Sequence, residues 1–254
     1  MNIIEMRNVT KRFSGVTAVD NLTLDLKQGT TVGIIGPNGA GKTTILNLIS
    51  HITGSDEGTI TFNGVDITRM SQEKIARLGL GRTFQNIRLF NELSVLDNVR
   101  AALDNQEKYT LVEAMLRLPR RGKGEKRIRE EAEKCLEVVG LLKYKDMMPS
   151  NLPYGVRRRL EIARALALKP KVLMLDEPAA GLNPDEMLEL IDFVRFIREK
   201  YNLSVLIIEH KMDVIMELCD TIYVQDFGHT IAVGKPEEIQ HNEKVIAAYL
   251  GVED

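Results

Sequence analysis

A glycine-rich stretch near the start of the chain constrains the fold more than any other feature. Residues 36 to 44 read GPNGAGKTT, which fits the pattern of a glycine, four variable residues, Gly-Lys and then serine or threonine. The apolar run TVGII precedes it, and helical spacing follows from Lys42 to Ile52. Such a loop gathers backbone N–H groups into an anion-sized hollow at the positive end of a helix dipole. The sequence therefore predicts a site for a nucleoside triphosphate.

Each part of this phosphate loop has a predicted role. The glycines allow the backbone to curl, Lys42 reaches the β- and γ-phosphates, and the Thr43 hydroxyl ligates Mg²⁺. A glycine turn with a helix cap is the alternative interpretation. The residues predicted to bind nucleotide here are Gly36, Pro37, Asn38, Gly39, Ala40, Gly41, Lys42, Thr43 and Thr44.

A second motif supplies acidic groups. VLMLDEP, residues 172 to 178, predicts a buried strand that ends in Asp176 and Glu177 beside the phosphate loop. Asp176 is predicted to hold the magnesium shell, and Glu177 to polarise the attacking water as a general base. Two acids after an apolar run also occur in plain strand-end turns, but the phosphate loop upstream favours the catalytic interpretation.

Composition and charge narrow the class of protein. The chain has 254 residues, 44% of them hydrophobic, so one large or two small domains can form a core. It carries 34 basic and 36 acidic residues, so no overall field attracts nucleic acid or anionic lipid. No signal peptide or membrane-spanning run is seen, which predicts a soluble, cytosolic chain. Cys135 and Cys219 are too far apart in sequence to indicate a zinc site or a disulfide framework.

The pattern of apolar runs predicts a mixed fold. A β-rich beginning from Ile3 to Phe62 leads into an Asn63-Gly64 hairpin, and a charged stretch from Val95 to about Gly140 predicts a helical insertion. After the insertion, compact apolar runs alternate with helices, which is typical of a parallel sheet buried on both faces. The expected strands are 172–177, 204–209 and 221–224, and the expected helices are 184–201, 212–218 and 242–250, the last ending at Gly251.

Five motifs in a fixed order carry a resemblance to the ATP-binding cassette (ABC) ATPases that extends over essentially the whole chain. They are GPNGAGKTT, FQNIRLF, LPYGVRRRLEIARAL, VLMLDEPAAGLNP and IIEH. The resemblance implies an α/β fold with a RecA-like P-loop core, an antiparallel β subdomain and an inserted helical subdomain. Residues 1–86 and 157–254 would form the core and β subdomain, and residues 87–156 the helical subdomain.

The resemblance also implies cofactors and partners. Two cassettes, identical or paralogous, would close head to tail around two ATP molecules with Mg²⁺, on the cytoplasmic face of a membrane. Within the family, the sequence is most similar to ATPase subunits of branched-chain amino-acid importers, which work with separate integral-membrane permeases. No nucleic-acid partner is expected.

Further site residues carry over from the family by position. Phe13 would stack on adenine, with a core phenylalanine as the alternative. Gln85 would touch magnesium and the attacking water, with an ordinary exposed loop glutamine as the alternative. His210 would hydrogen-bond the γ-phosphate. Tyr154 and Gly155 would belong to the signature segment that each cassette offers to its partner's ATP.

The signature departs from the usual family wording, LSGGQ, because this chain has LPYGV at residues 152 to 156. Pro153 has neither the hydroxyl nor the N–H of the usual serine, so phosphate contact would depend on Gly155 and the helix N-terminus behind it. Arg157 to Arg159 lie where the helix dipole disfavours cations, which indicates either an acidic neighbour or a solvated face. Asn183 and Lys211 stand where relatives often have acidic residues.

Two other functions stay open from the sequence. A soluble ABC ATPase acting on nucleic acid or ribosomes would be supported by the basic run RRGKGEKRIR at 120 to 129, whose simpler interpretation is a solvated helix face. Relatives of that kind usually carry two cassettes or a long coiled coil, and this chain has neither. Pro153 and Val156 motivate a third function, a nucleotide-dependent binding switch with little hydrolysis.

Overall fold

The computed structural model describes residues 1–104 and 119–250, which form two compact units. The core unit comprises Met1–Gln85 and Pro170–Asp254, and the helical unit comprises Asn86–Lys169. The part of the predicted helical insertion at 105–118 and the predicted helix end at Gly251 lie outside the described residues. The observed units assign residues 157–169 to the helical unit, whereas the sequence placed them with the core.

The core unit contains two sheets, and their strands follow the apolar runs of the sequence. In chain order the strands are β1 (Asn2–Phe13), β2 (Val16–Lys27), β3 (Thr31–Ile35), β4 (Glu57–Phe62), β5 (Val65–Asp66), β6 (Leu80–Arg82), β7 (Val172–Asp176), β8 (Ser204–Ile208), β9 (Thr221–Asp226) and β10 (His229–Gly234).

The first sheet is antiparallel, with strand order β2-β1-β4-β5. Its β4–β5 hairpin turns at Asn63 and Gly64, whose φ angles of 50° and 78° are those that a two-residue turn of this kind requires. The predicted hairpin is therefore confirmed. Side chains of β1 that alternate inward, such as Ile4 and Met6, are fully buried in the core.

The second sheet has strand order β10-β9-β3-β8-β7-β6, and only β10 pairs antiparallel with its neighbour. Every residue of β3, β7 and β8 is buried. Uninterrupted apolar strands fit a parallel sheet because both of its faces are covered. The predicted parallel sheet is confirmed, and its strands align the carboxyl ends of β3, β6, β7 and β8 along one edge.

The helices also follow the predicted spacing. In chain order they are α1 (Lys42–Ile49), α2 (Gln72–Leu78), α3 (Val95–Asp104), α4 (Pro119–Val138), α5 (Tyr154–Ala167), α6 (Pro184–Tyr201), α7 (Met212–Leu218), α8 (Pro236–Gln240) and α9 (Glu243–Leu250). Helices α3, α4 and α5 belong to the helical unit, and the others to the core unit. Helices α6 and α7 have the bounds that the sequence predicted. Across residues 1–104 and 119–250, no helix has both the length and the apolar character needed to cross a membrane.

In the helical unit, α3 packs against both α4 and α5, with Val99, Leu136 and Leu160 buried among them. The described end of the basic run lies on α4. Its Lys126 and Arg129 form surface ion pairs one turn along the helix, with Glu130 and Glu133. These pairs show a charged, solvent-facing side of α4, as a solvated helix face would have.

Candidate active site

The phosphate loop leaves β3 and enters α1 through two positions that only glycine can occupy. Gly36 and Gly41 have φ angles of 147° and 92°. A Cβ atom on Gly36 would lie 2.0 Å from the carbonyl oxygen of Gln225, and one on Gly41 would lie 2.0 Å from that of Ala18. Any side chain would therefore displace the loop from its tight course between β9 and β2.

Lys42 folds over this loop. Its ammonium donates hydrogen bonds of 2.8 Å to the carbonyl of Gly36 and 2.7 Å to that of Pro37. Burial lowers the pKa of Lys42, while the negative charges of Glu177 and Asp176 oppose that change. The phosphate loop after β3 and the acidic end of β7 lie at the same edge of the parallel sheet.

Glu177 follows β7 in a strained backbone conformation. Its φ angle of 46° lies in the left-handed region, which costs a residue other than glycine about 1–3 kcal/mol. Its N–H donates to the carbonyl of Ile208 at 2.9 Å, and its own carbonyl accepts a hydrogen bond from Ala180 at 3.2 Å. The strain occurs at the residue that the sequence predicted as the general base.

Two side chains predicted from other motifs contact the carboxylate of Glu177. His210 Nε2 lies 2.9 Å from Glu177 Oε1, and Gln85 Nε2 donates to Glu177 Oε2 at 2.9 Å. The three residues follow β8, β7 and β6, whose carboxyl ends share one edge of the parallel sheet. The exposed Gln85 is thus part of the cluster around Glu177 and is not an isolated loop residue.

Asp176 is buried, at 2% exposure, and it has a charged neighbour that the sequence analysis missed. Arg82 Nη2 lies 3.3 Å from Asp176 Oδ2, while Arg82 Nη1 donates to the Ser50 hydroxyl at 2.8 Å. The guanidinium also lies 5.1 Å from the centre of the Phe84 ring. The sequence feature that could have indicated this partner is an arginine in the short strand Leu80–Arg82, just before the FQ motif.

Phe13 is at the end of β1 and is 44% exposed, so the core-phenylalanine interpretation is wrong. The ammonium of Lys11 lies 5.2 Å from the centre of its ring and is itself paired with Asp56 at 2.8 Å. An aromatic ring with this exposure can stack on a nucleotide base.

The signature segment lies in the helical unit, where α5 begins at Tyr154. Pro153 is the N-cap, and its carbonyl accepts the helix hydrogen bond from Arg157 N at 3.0 Å. Proline fits here because its φ of −53° is near its fixed value and no N–H is needed. Pro153 and Tyr154 are exposed, and Gly155 is half-buried.

One of the three signature arginines is buried. Arg158, at 1% exposure, pairs with Glu161 at 2.8 Å, which is the acidic neighbour that the unfavourable dipole position indicated. Arg157 instead lies over the Tyr154 ring, 5.9 Å from its centre. The run is therefore partly a buried ion pair rather than a uniformly solvated face.

Asn183 and Lys211, which stand where relatives often have acidic residues, also have hydrogen-bond partners in the structure. Asn183 is the N-cap of α6: its side chain accepts a hydrogen bond from Glu186 N at 2.9 Å, and Glu186 in turn accepts one from Asn183 N at 3.0 Å. Lys211 donates to the carbonyl of Leu182 at 2.9 Å. Each residue therefore organises a loop next to Glu177 or His210.

A glycine loop between a buried strand and a helix, its lysine, and two acids at the end of a parallel strand together define a P-loop nucleoside triphosphatase. The family model for the ABC transporter matches residues 19–180. A second model, described as the branched-chain amino acid ATP-binding cassette transporter, matches residues 229–254.

Known proteins agree with this class over nearly the full chain. The high-affinity branched-chain amino acid transport ATP-binding protein LivG of Salmonella typhimurium is 42% identical over 98% of both chains. The protein BraF of Pseudomonas aeruginosa, with the same description, is 40% identical over 98% of both chains. The crystal structure of the ADP conformation of MJ1267, an ATP-binding cassette of an ABC transporter, has a TM-score of 0.86 at 30% identity and covers 99% of this chain and 100% of its own.

The chain belongs to the ABC transporter family of ATP-binding cassettes. It binds ATP and is an ATPase, as the resemblance implied.

Proposed function

We propose that the chain powers the uptake of branched-chain amino acids through a separate integral-membrane permease, on the cytoplasmic face of the membrane. The descriptions of LivG and BraF support the cargo, since both relatives match almost end to end. The observation that carries the hydrolytic part is the carboxylate of Glu177, held between Gln85 and His210 beside the phosphate loop.

ATP binding uses the loop first. The ammonium of Lys42, which donates to the carbonyls of Gly36 and Pro37, binds oxygens of the β- and γ-phosphates. The remaining loop residues, 38–41 and 44, contribute backbone N–H groups and close approach. The exposed ring of Phe13 stacks on adenine.

Glu177 then acts as the general base in hydrolysis of the bound ATP. The carboxylate accepts a proton from the attacking water, whose oxygen bonds to the γ-phosphorus while the bond to the β–γ bridging oxygen breaks and ADP keeps that electron pair. Gln85 orients the water and His210 hydrogen-bonds the γ-phosphate. Both side chains contact Glu177, which places them beside the attacking water.

The oxygen donors of the site fit Mg²⁺, which binds a few protein oxygens together with substrate phosphates. Thr43 offers an exposed hydroxyl at the start of α1, Asp176 a buried carboxylate, and Gln85 an amide oxygen, its nitrogen being directed at Glu177. Mg²⁺ neutralises charge on the β- and γ-phosphates when it is bound.

The second half of each ATP site comes from another cassette. Tyr154 and Gly155, at the start of α5, face the γ-phosphate bound by the partner, where the helix N-terminus supplies partial positive charge. We propose that residues 1–86 and 157–254 act as the core and β subdomain, and that residues 87–156 act as the helical subdomain.

The test compares Glu177→Gln with Glu189→Gln, an exposed carboxylate on α6. Glu177→Gln should bind ATP and accumulate as a dimer while its turnover collapses, and the control should behave as wild type. With the permease in proteoliposomes, ATP should drive uptake of labelled leucine and not of lysine. Wild-type turnover in Glu177→Gln would refute the general base, and uptake that excludes leucine would refute the cargo.

A further inference from the structure

A buried carboxylate outside the proposed machinery joins the loop after β7 to the loop after β8. Glu209 is 2% exposed, and its carboxylate accepts three backbone hydrogen bonds. Oε1 accepts from Ala179 N at 2.6 Å, and Oε2 accepts from His210 N at 2.9 Å and from Lys211 N at 3.2 Å. Because a buried carboxylate must be hydrogen-bonded, these contacts strongly favour one arrangement of the two loops.

A second connection runs in the opposite direction. The side chain of Lys211, from the loop after β8, donates to the carbonyl of Leu182 at 2.9 Å, and Leu182 N donates to the carbonyl of Ala179 at 3.2 Å. Glu209 therefore holds the first part of the 177–182 turn and Lys211 holds its end. We call these two side chains the loop clasp.

The clasp joins the loops beside a residue of the site in the left-handed backbone region. Glu177 begins the turn with a φ angle of 46°, and such a conformation persists only where surrounding contacts enforce it. The carboxylate of Glu209 also holds the backbone of His210, whose N–H donates to Oε2 at 2.9 Å. The 2.9 Å contact between Glu177 and His210 thus depends on loops that the clasp joins from both sides.

We propose that Glu209 and Lys211 are positioning residues, which hold the carboxylate of Glu177 and the imidazole of His210 in register for hydrolysis. This inference rests on the proposed general-base role of Glu177. Neither clasp residue belongs to the phosphate loop, so loss of the clasp should lower kcat and leave nucleotide binding largely intact.

The main test is Lys211→Met, with Lys74→Met, an exposed lysine of α2, as the matched control. Loss of one such hydrogen bond should lower kcat about three- to tenfold, with the KM for ATP changed less than about twofold. Lys211→Arg keeps a donor and should recover most of the activity. A thermal unfolding curve shows whether Lys211→Met is folded, and Lys211→Gln is the second variant to measure if it is not.

A purely structural role is distinguished by a double-mutant cycle. If Lys211 acts by aligning Glu177 with His210, Lys211→Met should cost much less in a His210→Ala background than in the wild type. Glu209→Gln retains a single acceptor oxygen and directs an N–H at backbone donors, so it should lower kcat more than Lys211→Met does.

Three results would overturn the proposal: a kcat for Lys211→Met equal to that of Lys74→Met, a loss explained wholly by a higher KM, or full additivity with His210→Ala. If one of these results is obtained while Glu177→Gln is inactive, the positioning role of Glu209 and Lys211 is refuted and the general-base role of Glu177 stands. An active Glu177→Gln would instead remove the general base on which the clasp inference rests.

Discussion

His210 and Glu177 share a 2.9 Å side-chain contact although they are 33 positions apart in sequence. The register of the sheet produces it, because Asp176 at the end of β7 pairs with Ile208 at the end of β8. The next residues of both strands therefore leave the sheet at the same level, and short loops bring the carboxylate and the imidazole together.

From this contact we expect His210→Ala to lower kcat about a hundredfold or more, since one hydrogen-bond donor to developing charge is typically worth that much. Steady-state ATP turnover measures it. His241→Ala is the control, because Nδ1 of that exposed ring donates to the carbonyl of Glu237 at 2.9 Å, at the end of the same short helix. If His210→Ala kept a third of the wild-type kcat, the γ-phosphate role would be refuted.

Phe13→Ala should raise the dissociation constant for ATP about 5- to 150-fold, because stacking of a base on an aromatic ring contributes about 1–3 kcal/mol. Phe13→Tyr should bind like the wild type. Phe196 on α6 is 45% exposed and Phe13 is 44% exposed, so Phe196→Ala controls for loss of an equally exposed ring. Fluorescent-nucleotide titration gives the constants, and equal affinities of the two alanine variants would contradict the stacking assignment.

Arg82→Met should lower the free energy of unfolding by about 3–5 kcal/mol, because it breaks the buried ion pair with the carboxylate of Asp176. Arg77→Met removes an exposed pair with Glu73 and should cost no more than about 0.5 kcal/mol. Denaturant unfolding of the two variants under the same conditions measures the difference. Similar losses for both would show that the buried pair contributes no more than a surface one.

Gly33→Ala should destabilise the chain by about 1–3 kcal/mol, because β3 is fully packed at this position. The new Cβ would lie 2.7 Å from Cys219 Sγ and 3.2 Å from Ile215 Cδ1. Adding Cys219→Ala removes the sulfur and leaves a Cβ–Cβ distance of 3.6 Å, so the double variant should regain part of the lost stability. No recovery in the double variant would place the strain elsewhere.

Local patterns in the sequence predicted the elements well. The apolar runs at 172–177 and 204–209 became β7 and β8, the Asn63-Gly64 hairpin formed, and the bounds of α6 and α7 matched. These features follow from backbone geometry and from the period of buried side chains, both of which are written in a few consecutive residues. The phosphate loop could also be predicted from consecutive residues, because the spacing of its glycines and lysine determines its backbone course.

The partners of the site residues were decided by the tertiary structure. Arg82 reaches Asp176 across 94 positions, and Lys211 reaches the carbonyl of Leu182 across 29. Nor could local sequence tell whether Phe13 was a core or a surface ring. Such contacts depend on strand order and on which loops leave one sheet edge together, and no short-range periodicity encodes either of these.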